Sequence, residues 1–271
     1  MKILLFSGTH SRHLFLHKKI INSGNECRSI IMEREKIIPK LNNESTKVQS
    51  IDRDNYKFHF DERYRVEKEF YGELDFKEVF SEMKSLYCTK DELNSSKSIE
   101  FIKEFNPDIS IVFGSGIISK LLIDLLPNDT INVHLGLSPM YKGSATLFWP
   151  FYNLEPQFAG VTFHKITAKV DAGDILHQSV PKMEYGDGIH ELSAKAVVKA
   201  SDELINLIER KKSKGWEYVK QRNSGKLYLT SDFKPHHLRV IYNLFNNNIV
   251  DEYLDKKLSM TEPELVKINF K

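Results

Sequence analysis

The 271-residue chain carries 39 basic and 37 acidic side chains, a formal net charge of +2, with 41% hydrophobic and 28% charged residues. This near-balance excludes a protein that works by neutralising nucleic-acid phosphates over a basic face, and the composition is that of a globular chain with one large domain, or a main domain and an appendage. The apolar run nearest the start, Ile3 to Phe6, is too short for a signal-peptide core or a membrane span. Cys27 and Cys88 form no CxxC or Cys/His cluster, so they read as reduced thiols and the compartment as the cytoplasm.

In chain order, Lys2 to Ser7 reads as a buried first strand bounded by Gly8, Ser11 to Asn22 as a helix ended by Ser23-Gly24, and Cys27 to Met32 as a second strand. Strand, glycine turn, helix and strand together indicate a parallel α/β sheet. The tract Ile31 to Asp75 alternates both charges and reads as a solvated surface, in which Arg63 or Arg65 could still meet an anionic ligand. The pattern then returns. Ser95 to Phe105 is helical and stopped by Asn106-Pro107, Ile109 to Phe113 is a strand running into Gly114-Ser115-Gly116, and Ser119 to Leu126 is a helical turn ended by Pro127. Thr130 to Val133, Gly160 to Lys165 and Ile175 to Val180 complete the strands, and a long amphipathic helix covers His190 to Arg210. The expected fold is a Rossmann-like open, mostly parallel sheet. Its catalytic domain spans 1–214, and 215–271 form a short α/β appendage with a strand over Gly225 to Leu229 and a helix from Asp232 to Tyr242. Ligands of such sheets sit at strand carboxyl ends, so Ser7-Gly8, Gly114-Ser115-Gly116 and Asn132-Val133-His134 are expected to converge on one cleft.

Chemistry concentrates between Ile131 and Leu176. Asn132 and His134 are two apart near a strand end and share a face. The amide can donate to a developing oxyanion, and the imidazole can handle the proton of an attacking amine. Asp171, in a turn with Ala172 and Gly173, can hold the imidazole's protonation state. No Ser or Cys nucleophile elbow is present, so transfer without an acyl-enzyme is the simpler reading. Asp174 competes for the carboxylate role but reads as the start of the next strand. His164 reads as a packed residue of its strand rather than a second base. No Cys/His/carboxylate cluster with ligand spacing lies near these residues, so no metal is expected. The Ser7-Gly-Thr-His-Ser-Arg12 loop lacks both the P-loop and the dinucleotide patterns, but Ser11 opens a helix whose N-terminus suits an anion, with Arg12 as an added charge.

Asn132 and His134 are followed by Pro139, Gly143, Gly160-Val161-Thr162 and Asp171-Ala172-Gly173. This ordered set resembles the formyltransferases that use 10-formyltetrahydrofolate, a family that includes glycinamide ribonucleotide, methionyl-tRNA and nucleotide-sugar N-formyltransferases. The resemblance covers Ser7 to Val180 and is sharpest from Ile109 to Leu176. It departs at Leu135-Gly136-Leu137-Ser138, where the family commonly carries a Ser-Leu-Leu loop, so contacts made there do not carry over. The resemblance implies Asn132 as oxyanion donor, His134 as base or proton relay and Asp171 as its partner. It also implies folate against the backbone of Gly116, Ile117 and Ile118 and of Ala168, Lys169 and Val170. Ribonucleotide-binding relatives place a substrate phosphate at the loop that here holds Ser11 and Arg12.

Among the family's acceptors, methionyl-tRNA calls for a further C-terminal barrel and a basic platform, whereas 201–271 hold 13 basic and 10 acidic residues. Glycinamide ribonucleotide enzymes are smaller and lack the charged insertion and tail. The expected acceptor is therefore an amino sugar on a nucleotide, of the kind used in polysaccharide biosynthesis, with Ser11, Arg12 and Lys142 toward it. Neither nucleic acid nor membrane is expected as a partner, and a homodimer is compatible with this reading. A folate- or nucleotide-binding regulatory domain without turnover is the alternative outside enzymes.

Overall fold

The computed structural model describes residues 1–33, 48–81, 83–222 and 224–269. Its strands are β1 (Lys2–Gly8), β2 (Glu26–Met32), β3 (Ser85–Cys88), β4 (Ile109–Phe113), β5 (Thr130–Leu135), β6 (Tyr141–Gly143), β7 (Val161–Lys165), β8 (Ile175–Ser179) and β9 (Lys226–Tyr228). Its α-helices are α1 (Ser11–Ile21), α2 (Ser50–Tyr71), α3 (Phe76–Val79), α4 (Ser96–Phe105), α5 (Lys120–Ile123), α6 (Trp149–Tyr152), α7 (Ile189–Lys214) and α8 (Ile249–Leu254). The main sheet is seven-stranded in the order β3-β2-β1-β4-β5-β7-β8, parallel from β3 to β5 and antiparallel at β7 and β8. A second, two-stranded sheet pairs β6 with β9. The expected open, mostly parallel sheet is what the chain forms.

Apolar residues on both sides of β1 explain its central place, because a strand covered by helices on each face needs no polar side. Ile3 and Leu5 pack with Leu14, Leu16 and Ile20 of α1 and Leu204, Leu207 and Ile208 of α7. Leu4 and Phe6 face the other way, into Phe101, Ile102 and Phe105 of α4. Helix α4 stops where Asn106 adopts a left-handed conformation (φ 48°) ahead of Pro107, which disfavours helical geometry in the residue before it. A further core joins α2, the segment after β5 and the C-terminal part through Tyr56, Phe60, Tyr141, Phe148, Trp149, Tyr228, Leu238 and Ile241.

Two expectations are corrected. The charged tract is not merely solvated surface: its stretch from Ser50 to Tyr71 is a 22-residue helix that buries Tyr56, His59, Phe60, Val66, Glu67 and Tyr71. These recur at helical spacing among the charges, and the charges occupy the outer face. The portion of the tract at 34–47 lies outside the described residues. Second, no continuous helix runs from Asp232 to Tyr242. The chain makes 3₁₀ turns at Thr230–Asp232 and Pro235–His237, then a wide turn at Val240–Leu244. Pro235 contributes no N–H, and Asp232 turns back to accept from the Leu229 N–H at 2.8 Å instead of capping a helix that follows. Both cysteines are free. Among the described residues no helix is long and apolar enough to cross a membrane.

Candidate active site

The strand order reverses between β1 and β4, and in an open sheet of this kind a crevice forms beyond the strand carboxyl ends at that point. The crevice here is a cleft of about 890 Å³. Asn132 to Leu135 line it at the end of β5, with His10, Arg12 and His13 after β1 and Gly114 to Ile118 after β4. Ile166 to Asp171 line it after β7, and α2, α7 and the segment Leu227 to Thr230 complete its walls. The expected convergence holds for the second and third glycine or amide segments. After β1, however, the cleft is met by His10, Arg12 and His13 rather than by Ser7-Gly8.

Asn132, His134 and Asp171 meet on one side of this cleft. Residues 132 and 134 project to the same face of β5 because side chains alternate along a strand. Asp171 arrives from the loop between β7 and β8 in a left-handed conformation (φ 47°). That loop turns tightly against β7, since a Cβ on Gly173 would stand 1.8 Å from the Lys165 carbonyl oxygen. The Asn132 amide donates to Asp171 Oδ1 at 3.4 Å. His134 Nδ1 lies 3.4 Å from Asp171 Oδ2, and Gly143 N–H donates to the same oxygen at 2.8 Å. His134 Nε2 is 2.8 Å from the Tyr141 carbonyl, which can only accept, so this nitrogen carries a proton. Asp174 faces away, its side chain accepting from the exposed Gln221 N–H at 3.4 Å.

Electrostatics follow from this enclosure. Burial lowers the His134 pKa below the usual imidazole value, against Asp171 and the Tyr141 carbonyl, which favour the charged ring. Burial also opposes the Asp171 charge, but the His164 and His134 imidazoles and the Gly143 N–H outweigh it and hold the carboxyl below its ordinary range. His134 is therefore a neutral imidazole whose two neighbours are both acceptors. A proton gained there is held by a carbonyl on one side and a carboxylate on the other.

Sequence reasoning assigned His164 to packing, and it is buried, but it is also part of the site. Its Nδ1 is 2.8 Å from the Lys165 carbonyl oxygen, and its Nε2 is 3.2 Å from the Asn132 amide nitrogen and 3.4 Å from Asp171 Oδ1. The cause is register: Asn132 lies directly opposite His164 across the antiparallel β5–β7 pair. The Val-Thr-x-His spacing of β7 was the available signal, but that register is invisible in a linear pattern.

All six residues expected near folate, Gly116, Ile117, Ile118, Ala168, Lys169 and Val170, line the cleft. Ile117 and Val170 are 79% and 50% exposed, a pair of apolar side chains presented to solvent from two loops. Two main-chain acceptors in these loops are already used: Asn94 donates to the Ile117 carbonyl at 3.0 Å and the Thr167 hydroxyl to that of Lys169 at 2.9 Å. Of the residues expected near the acceptor, only Arg12 lines the cleft, bound to Glu67 of α2 at 2.6 Å. Lys142, half-buried on β6, is not among the lining residues. Ser11 stands at the first position of α1, outside the lining. Arg63 does line the cleft, its guanidinium 4.6 Å from the Phe60 ring centre, whereas Arg65 pairs with Glu62, Glu69 and Glu191 on the outer face. Burial, with Arg12 alongside, disfavours the Arg63 charge. A neutral network completes this end of the cleft, with His59 Nδ1 and His190 Nε2 at 2.8 and 3.2 Å from the Tyr242 hydroxyl.

An amide, an imidazole and a carboxylate converging in the crevice of an open α/β sheet are the parts that acyl transfer needs. The formyl transferase family model matches residues 1–208, and the chain belongs to that family. It is similar to a methionyl-tRNA formyltransferase of Agathobacter rectalis, 32% identical over 121 residues that cover 43% of this chain and 39% of the relative. That of Borreliella afzelii is 31% identical over 147 residues, 54% of this chain and 46% of the relative. The chain thus spans less than half the length of these curated relatives. Among solved structures, the N-formyltransferase from Helicobacter canadensis, in complex with folinic acid and dTDP-3-aminofucose, superposes with a TM-score of 0.59 at 15% identity, covering 93% of this chain and 82% of that one. A 4-N formyltransferase from Francisella tularensis gives 0.55 at 18% identity, covering 86% and 77%. At these identities the structures share the fold.

Proposed function

We propose that the chain is an N-formyltransferase that moves the formyl group of 10-formyltetrahydrofolate to the amine of a nucleotide-linked amino sugar. The observation that carries the transfer is the meeting of Asn132, His134 and Asp171 beside the cleft that the folate-expected loops line. The amine attacks the formyl carbon, a new C–N bond forms, and the bond to the folate N10 breaks. Asn132 donates to the formyl oxygen as it gains negative charge, while His164 keeps the amide aimed. His134 accepts the proton the amine loses, and the N10 leaving group takes up a proton in turn. Ionised Asp171 stabilises the imidazolium during that exchange. Ile117 and Val170 flank the folate ring, and the loop backbones around them bind its polar edge.

For the acceptor, support comes from the far end of the cleft. Arg12 and Arg63 stand there around Glu67, so an anion is favoured. The neutral His59–Tyr242–His190 network offers hydrogen bonds without charge, as a hydroxylated sugar requires. The solved neighbour bound to dTDP-3-aminofucose is in keeping with this assignment. Methionyl-tRNA is the second reading, favoured by the curated relatives. The test is to compare acceptors with 10-formyltetrahydrofolate at two ionic strengths. Amino-sugar nucleotides should be formylated at both, with shallow salt dependence because few phosphates are contacted. Efficient formylation of methionyl-tRNA, steeply suppressed by salt, would replace the sugar reading.

A further inference from the structure

Two main-chain groups of β6 hold the catalytic pair: the Tyr141 carbonyl takes the His134 Nε2 proton, and the Gly143 N–H binds Asp171, each at 2.8 Å. A three-residue strand cannot fix two such groups by itself. Its ladder partner is β9, in parallel register Tyr141↔Lys226, Lys142↔Leu227 and Gly143↔Tyr228. The pairing continues at both ends, with Lys226 N–H on the Met140 carbonyl at 3.1 Å and Ser144 N–H on the Tyr228 carbonyl at 2.8 Å. Beyond it, the Ser144 and Thr230 hydroxyls meet at 2.9 Å.

Side chains lock the same contact. The Tyr228 ring lies near-parallel to Trp149, centroids 4.6 Å apart, and to Tyr141 at 5.9 Å. Asn153 donates to the hydroxyls of both tyrosines, at 3.1 and 3.2 Å. The backbones leave no slack: a Cβ on Gly143 would meet the Tyr228 carbonyl oxygen at 2.1 Å, and one on Gly225 the Pro139 carbonyl oxygen at 1.9 Å. Yet β9 lies beyond the family match, which ends at residue 208.

We propose that β9 is a positioning strand: the C-terminal segment sets the geometry of His134 and Asp171 through β6, and Tyr228 is the positioning residue that seats it. The inference rests on the catalytic reading above for its kinetic consequence, but not for its structural one. It is tested in the full chain with Tyr228→Ala, Tyr228→Phe and Thr230→Val. The first readout is ¹⁵N NMR of the His134 ring in the ligand-free protein, which reports the tautomer whatever the acceptor is. The wild-type neutral ring should be protonated at Nε2, against the Tyr141 carbonyl. Tyr228→Ala should give a mixture of both tautomers, and Tyr228→Phe, which keeps the stack, should resemble wild type. Thr230→Val, which removes only the hydroxyl pair, should shift the tautomers less in the same direction, and it keeps the test open if Tyr228→Ala does not fold. The second readout is kinetic. Misplacing a catalytic group by about 1 Å costs on the order of 10²-fold, so Tyr228→Ala should lower kcat roughly 10- to 100-fold and change KM far less. A wild-type tautomer in folded Tyr228→Ala or Thr230→Val protein would overturn the proposal, as would a loss confined to KM. Absence of formyl transfer by wild-type protein, with the tautomer shift intact, would instead remove only the catalytic reading.

Discussion

Asn132 and His134 occupy one strand face, and each is held by partners that bias its role. In the proposed transfer Asn132 supplies the amide for the oxyanion, so Asn132→Ala should cost on the order of 10²–10³ in kcat, the usual loss for one such donor. His134→Ala and Asp171→Ala should be comparably severe, and circular dichroism should report an intact fold. Asp174→Ala should be mild, because its carboxylate sits outside the cleft against Gln221; a larger loss for Asp174 than for Asp171 would reverse the assignment. The pH dependence has a definite sign. The proposed transfer uses neutral His134, and burial lowers its pKa, so the acid limb of kcat should lie below the ordinary imidazole value of 6.5. Asp171 pulls that pKa upward, so in Asp171→Asn the residual activity should persist to still lower pH. An acid limb that moved up in the variant would contradict this electrostatic account. The meeting of Asn132, His134 and Asp171 was legible in the sequence, since residue type and spacing carry it. His164 was not, because its role comes from lying opposite Asn132 across an antiparallel pair.

The turn after β7 carries Asp171 into the site, and its backbone tolerates little. Gly173→Ala would set a methyl group 1.8 Å from the Lys165 carbonyl, so the loop must move and Asp171 with it. We expect kcat to fall at least tenfold, as for other small misplacements of a catalytic group. Thermal melting should record only a modest loss of stability, since the loop lies outside the sheet core. A variant with unchanged kcat would show that the loop position is not critical. At this scale β1, β2, β4 and β5 and α1, α4 and α7 were readable from apolar runs and glycine or proline stops, whereas the short edge strand β3, Ser85–Cys88, was missed because only four residues with one buried side chain carry it. Helix α2 was obscured because most of its buried residues are tyrosine, histidine, asparagine and paired carboxylates, with Val66 the one buried aliphatic. Its inner face nevertheless supplies His59, Phe60, Arg63 and Glu67 to the cleft. The β6–β9 pair was beyond reach for another reason: a parallel bridge between segments so distant in the chain leaves no local pattern.

On the scale of the whole molecule, the same burial that keeps these imidazoles neutral makes the fold sensitive to acid. His17 is fully buried between Phe80 and Phe113, and desolvation lowers its pKa to about 3. His59 is lowered to about 3 as well, by burial and then by Arg63 and Arg12, and burial with His59 and the same arginines alongside holds His190 well below the ordinary imidazole value. In the unfolded chain each would protonate near 6.5, so below that pH the unfolded state binds protons that the native state does not. Stability is therefore complete above about pH 6.5 and falls as the pH drops, continuing down to the folded-state values. Each histidine contributes a slope approaching roughly 1.4 kcal/mol per pH unit below that value, so His17 and His59 together cost about 3 kcal/mol between pH 6.5 and 5, with His190 acting in the same direction. That is a substantial part of the 5–15 kcal/mol typical of a whole domain, so the protein should be markedly less stable at pH 5 than at pH 7. Urea titrations at pH 7 and 5 measure this directly, and His17→Leu isolates one share because His17 is not itself a cleft-lining residue. The variant should recover roughly 1.5 kcal/mol of the acid loss, one histidine's part of that slope. Equal stability of the wild-type protein at the two pH values would show that the buried histidines open to solvent before they can act on the fold.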